Sequence, residues 1–139
     1  MHIEAEAYAA LRRHGEEAYP EESCGVLAGN LEGPRVAFAT RCENARRDSP
    51  RDRYAIDPKE VIRIQREIRA QGLEIVGFYH SHPNHSAEWS SIDLAEAHWI
   101  GYSYVITSVA NGVAAETRSF RLEGSWDEKR LVSEELAVR

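Results

Sequence analysis

His80 and His82 are the residues in this chain best placed to do chemistry. They stand two apart at the end of Leu73 to Tyr79, whose length and β-branching predict a buried strand. Side chains two apart on a strand share a face, so both imidazoles point the same way. Two neutral imidazoles on one face are half of a tetrahedral zinc site. Pro83 opens an irregular stretch, and a helix is expected to begin near Ser90. Asp93 falls in the first turn of that helix, from where its carboxylate can swing back toward the histidines. Two histidines, one aspartate and a water would form a catalytic zinc site with an open fourth position. Ser90-Ser91-Ile92-Asp93 also matches a helix-start signature in which Asp93 only caps. The two roles are compatible, because capping would fix the carboxylate. In a chain of this composition the whole spacing pattern arises by chance in roughly one sequence per thousand.

These residues need elements to hold them. Ile3, Ala7, Ala10, Leu11, His14 and Ala18 recur at helical spacing, and Pro20 stops the helix they predict. Cys24 to Ala28 reads as a buried strand closed by Gly29-Asn30, and Val36 to Thr40 as a second strand. Arg53 to Ile56 is expected as a third. Asp57-Pro58-Lys59-Glu60 starts a helix, with Asp57 as cap, Pro58 at the first helical position and Glu60 reaching back to the cap. Val61, Ile64, Gln65 and Ile68 form its inner face, and Gly72 ends it. Ser91 to Trp99 is expected as a short helix. Ser103 to Val109, Ala114 to Leu122 and Arg130 to Val138 are expected as strands. Helices interleaved with strands, with hairpins at the end, predict an α/β fold built on a mixed β-sheet.

Composition narrows the function classes. The 139 residues suit one domain, expected to span 1–139, and 42% hydrophobic with 29% charged residues is a globular balance. Lys and Arg number 17 against 23 Asp and Glu, for a net charge of −6, which disfavours a nucleic-acid partner. The segment from Met1 to Glu6 lacks the basic and apolar regions of a secretory signal, and no apolar run is long enough to span a membrane. A cytoplasmic setting without membrane attachment is therefore expected. Cys24 and Cys42 are too few for a disulfide scaffold; free thiols are the simplest reading, and a single bridge between them the alternative. Arg46 to Arg53 carries four arginines and reads either as a solvated loop or as a contact for an acidic partner.

His80-Ser81-His82, seven residues, Ser90, two residues and Asp93 resemble the signature of the JAMM (MPN-plus) zinc metalloproteases. Pro20-Glu21-Glu22-Ser23-Cys24-Gly25-Val26-Leu27-Ala28-Gly29 resembles the P-x-E-x-C-G-x-L-x-G pattern of the small prokaryotic members, with Glu22 as the matching acid. Asn44 through Tyr54, Ile56 and Asp57 resemble the family's stretch before its second helix. The likeness covers about residues 3 to 122. Trp89-Ser90 departs from the Pro-Ser common in relatives.

The resemblance implies a mixed sheet flanked by helices, the MPN/JAMM fold, related to the cytidine-deaminase architecture. It implies one Zn2+ per chain held by His80, His82 and Asp93. Glu22 is then expected as general base and later general acid, and Ser90 as a donor to the developing oxyanion. Glu21 is the competitor for the acid's place, and spacing to Cys24-Gly25 selects Glu22. The implied reaction is hydrolysis of a peptide or isopeptide bond, after the C-terminal Gly-Gly of a ubiquitin-fold or sulfur carrier protein. The alternative is a non-catalytic interaction module of the same fold, against which the complete residue set speaks. A zinc deaminase would need H-x-E and P-C-x-x-C, and the chain has neither. Ser81, on the opposite strand face, is expected to be structural, and His85 to face solvent or substrate.

Overall fold

The computed structural model describes all residues, 1–139. The chain runs β1 (His2–Ile3), α1 (Ala5–Ala18), β2 (Cys24–Asn30), β3 (Arg35–Cys42), α2 (Pro58–Ala70), β4 (Glu74–Pro83), α3 (Ser91–Glu96), β5 (Ser103–Ala110), β6 (Val113–Gly124), β7 (Lys129–Glu134) and β8 (Ala137–Val138). The strands form one eight-stranded sheet in the order β7-β6-β5-β4-β2-β3-β1-β8. It is a mixed sheet: β4–β5, β1–β3 and β1–β8 pair in parallel, and the other neighbours are antiparallel.

Strand alternation gives the sheet two apolar faces. Leu27, Tyr79 and Val105 pack with Ala7 and Leu11 of α1 on one face, joined by Val76 because the β2–β4 register shifts at Leu27/Ala28. Val26, Phe78, Tyr104 and Ile106 pack with Ile64 and Ile68 of α2 on the other. On β4 this sends Tyr79 toward α1 and Phe78 toward α2. Gly25 is required where β2 passes β4, because a Cβ there would collide with the Tyr79 ring and the Thr40 carbonyl.

Local signals explain most of the boundaries. The Asp57 side chain accepts from the Lys59 N–H at 2.9 Å, Pro58 takes the first turn of α2, and Gly72 follows its end with φ +78°. Glu60 departs from its expected capping role. Its Oε1 accepts instead from the Glu43 N–H at 3.2 Å, tying α2 to the end of β3.

Four other expectations change. Ile3 belongs to β1 rather than α1, paired with Val36 and Val138. Arg53 to Ile56 forms no strand. Its backbone is bonded on one side to Asn44 and Ala45, so it has β-like residues without a ladder. α3 ends at Glu96, and Trp99 packs on Phe78 from beyond the helix, with its N–H donated to the Tyr104 hydroxyl. The last expected strand divides into β7 and β8. No helix is long and apolar enough to cross a membrane.

Candidate metal centre

β4 lies inside the sheet, between β2 and β5, so the strand carrying both histidines is held on both sides. His80 and His82 leave it on the α2 face, 2% and 7% exposed. Ser81 leaves on the other face, where its Cβ lies 3.3 Å from the position a Cβ on Gly15 of α1 would take. The Ser81 hydroxyl accepts the Ser23 N–H at 2.8 Å, which makes it the brace between β4 and the entry to β2.

α3 brings Asp93 to the histidines. The Ser90 Oγ accepts from the Asp93 N–H, and Asp93 Oδ2 accepts from the Ser90 N–H, a complete capping box. The same carboxylate meets both rings, with His80 Nε2 to Asp93 Oδ1 at 3.2 Å and His82 Nε2 to Asp93 Oδ2 at 3.1 Å. The two Nε2 atoms are 3.2 Å apart. A cation bonded at about 2.05 Å to tetrahedral ligands would separate them by about 3.3 Å, so the spacing fits a zinc-sized ion. The donor types agree with that fit, being two imidazole nitrogens and a carboxylate oxygen. His82 Nδ1 lies 2.7 Å from the Ser86 carbonyl and donates to it, which leaves Nε2 as the lone-pair nitrogen of the neutral ring.

Electrostatics follow from this packing. Burial drives the His80 pKa down, against the pull of Asp93. Burial also acts to lower His82, but the hydrogen bonds to Asp93 and Ser86 outweigh it and raise its pKa. Burial alone would raise Asp93, yet hydrogen bonds from both histidines hold its carboxyl far below the usual range.

Glu22 stands where the chain enters β2. It is 5% exposed, its Oε1 has no hydrogen-bond partner, and burial pushes its pKa up to about 8. Glu21 is exposed. The Glu22 backbone is fixed from the other direction: its N–H donates to the Pro50 carbonyl at 2.8 Å, and its carbonyl accepts from Asn44 Nδ2 at 3.2 Å. Asn44 also bonds the Arg53 carbonyl and the Ala55 N–H, so one amide side chain pins the segment before α2 to the acid.

The residue that sequence reasoning missed is Tyr54. Its ring stacks on His80 with centroids 4.4 Å apart and planes inclined by 23°. It also lines a mainly apolar cavity of about 440 Å3, with Ile56, Val61, Phe78, Trp99 and Tyr104. No local spacing links Tyr54 to His80; only the family-like run from Asn44 to Asp57 pointed to this segment.

Other candidates fall outside the cluster. His85 is exposed. Cys24 and Cys42 face each other across β2–β3 as buried free thiols, and burial pushes Cys24 up to about 12. Arg46 is paired with Asp48 and Glu96, and Arg47 with Glu43, so half of the arginine loop already has acidic partners.

A model of "prokaryotic homologs of the JAB domain" matches residues 4–123. The chain belongs to the prokaryotic JAB-domain family. This family match agrees with the JAMM/MPN resemblance and the mixed-sheet fold expected from sequence. JAB-family relatives include the desampylase of Haloferax volcanii, 37% identical over 112 residues, covering 78% of this chain and 80% of the relative. The CysO-cysteine peptidase of Mycobacterium tuberculosis is 32% identical over 120 residues, covering 86% and 81%. A solution structure of a Desulfitobacterium hafniense protein superposes with a TM-score of 0.83 at 26% identity, covering 100% of this chain and 93% of that one. The relatives' names are those of hydrolases, one a desampylase and the other a peptidase of CysO-cysteine.

Proposed function

We propose that residues 1–139 act as one zinc-dependent peptidase or isopeptidase domain that cuts after the C-terminal Gly-Gly of a ubiquitin-fold or sulfur carrier protein. The observation that carries this reading is the triangle of His80, His82 and Asp93 with donor spacings of 3.1–3.2 Å. A bound zinc would supply Lewis acidity, lowering the pKa of water and polarising a carbonyl.

The chain's own residues do the rest. Glu22 takes a proton from the attacking water and later delivers it to the leaving amine. Its Oε1 has no partner within the chain and is free to accept that proton, and a bound dication would counter the burial that raises its pKa in the metal-free fold. Ser90 spends the lone pair of its Oγ on the Asp93 N–H, so its own hydroxyl proton remains to be donated to a developing oxyanion. Ser86 orients His82 by accepting its Nδ1 proton, which turns Nε2 toward the metal position.

The names of the relatives support the substrate class, since desampylase and CysO-cysteine peptidase denote cleavage at protein conjugates or carriers. Glycines allow a tail to approach the metal closely. The sheet's outer edges, β7 and β8, lie away from β4, so an extended tail has no outer edge strand to join at the site. The segment next to His80 is the better partner. The backbone groups of Tyr54 and Ile56 make no hydrogen bond within the chain, while those of Ala55 are used by Asn44 and Ala45. The test is cleavage of a linear carrier fusion, with the new termini read by mass spectrometry. Cutting after Gly-Gly supports the reading, and an intact fusion in the presence of zinc-loaded protein removes it.

A further inference from the structure

His80 and His82 are held by different means. His82 has the usual support of a metal-binding imidazole, its second nitrogen donating to a carbonyl, here that of Ser86. His80 has none: its Nδ1 is buried and has no hydrogen-bond partner. The ring's polar contacts, Asp93 and His82, all lie at Nε2 on the metal side, so nothing polar braces it from behind about χ2, a torsion that is intrinsically broad. What lies against the ring is Tyr54, stacked at 4.4 Å between centroids and 23° between planes.

We propose that Tyr54 is the positioning residue for His80, its ring face replacing the missing hydrogen bond and aiming Nε2 at the metal. Several features of the surroundings fit this. Tyr54 is anchored independently of the site, through the bonds of Arg53 and Ala55 to the Asn44 side chain. Tyr54 also packs against the buried apolar cluster that includes Phe78, Tyr104 and Ile106, which limits its own movement. The contact is ring to ring, so its strength depends on the aromatic face and not on the hydroxyl. Tyr54 touches a ligand and no reacting atom. Its effect should appear in metal affinity and geometry before it appears anywhere else.

The inference rests on His80 being a metal ligand, and the experiment separates the two claims. Zinc dissociation constants would be measured on folded protein by competition with a chromophoric chelator. The visible absorption of the cobalt-substituted protein would be recorded beside them. Tyr54→Leu should weaken zinc about tenfold and shift or broaden the cobalt bands, as expected for loss of one stacked aromatic contact. Tyr54→Phe should bind zinc within about twofold of the parent with the parent's cobalt spectrum. If Tyr54→Leu does not fold, Tyr54→Met offers a longer, more adaptable side chain without the aromatic face and carries the same comparison. A non-aromatic variant with parental zinc affinity and cobalt spectrum would overturn the proposal, provided His80→Ala loses zinc. If His80→Ala also kept zinc at parental affinity, the ligand assignment itself would fall, and the role of Tyr54 with it.

Discussion

Ser90 and Asp93 hold each other by two reciprocal hydrogen bonds, Asp93 N–H to Ser90 Oγ at 3.1 Å and Ser90 N–H to Asp93 Oδ2 at 2.9 Å. The geometry that starts α3 is thus the geometry that presents a carboxylate to two histidines. Capping and ligation are one arrangement here. Ser90→Ala should lower stability by about 1 kcal/mol through the lost cap. It should lower kcat by about 10²–10³-fold through the lost oxyanion donor, with zinc content kept. Thermal melts, elemental analysis and turnover on one preparation check all three. A variant with parental kcat would assign Ser90 to the cap alone.

Glu22→Gln should retain zinc and fold while losing most activity, because the proton carrier is gone and the ligands remain. Loss of zinc with activity would instead make Glu22 a ligand.

The same residue gives a stability prediction for the metal-free protein. Burial raises the Glu22 pKa to about 8 in the fold, from 4.5 for an exposed glutamate. The folded state holds the proton longer than the unfolded chain, so this group's contribution falls as pH rises from about 4.5 toward 8. Denaturant titrations of metal-free protein should show a shallower loss over that window for Glu22→Gln. Equal slopes would mean that the carboxyl is not desolvated.

His14 acts in the opposite direction. Burial first, then Arg41, lowers its pKa from 6.5 to about 4, and its Nδ1 pairs with the Tyr79 hydroxyl at 2.7 Å. Below pH 6.5 the unfolded chain takes up a proton that the fold refuses, so stability falls as pH drops toward 4. His14→Gln should flatten that acid limb in melts between pH 6.5 and 4. An unchanged limb would place the acid sensitivity elsewhere.

The carrier body should contribute affinity beyond the tail. Arg51 and Arg53 are the loop arginines without an acidic partner, whereas Arg46 and Arg47 are already paired. Arg51→Ala with Arg53→Ala should raise KM on a carrier fusion more than it lowers kcat, the sign of a contact made equally in ground and transition states. No change in KM would leave the loop as a solvated scaffold for Glu22.

The parts of the site legible in the sequence are those set by local periodicity. His80 and His82 share a face because strands alternate, and Asp93 sits at the third helical position because Ser90 caps. What could not be read depends on distant pairing. His2 and Ile3 form a strand only because Arg35–Val36 and Ala137–Val138 arrive beside them. Arg53 to Ile56 has strand-like residues, but its hydrogen-bond partners are Asn44, Ala45 and Ser49, so no ladder forms. Trp99 fits the helical spacing of α3, yet the helix stops three residues earlier and the ring packs on Phe78 instead. Tyr54 meets His80 across 26 residues of sequence, a contact that no window of periodicity contains.

The central claim is zinc-dependent cutting after Gly-Gly, and the most direct measurement is mass spectrometry of a linear ubiquitin-fold carrier fusion. The fusion is incubated with zinc-loaded, chelator-stripped and zinc-restored protein. The account predicts new termini after Gly-Gly with the loaded and restored samples, and none with the stripped one. Cleavage undiminished by stripping, or a fusion left whole by protein carrying a full equivalent of zinc, would contradict it.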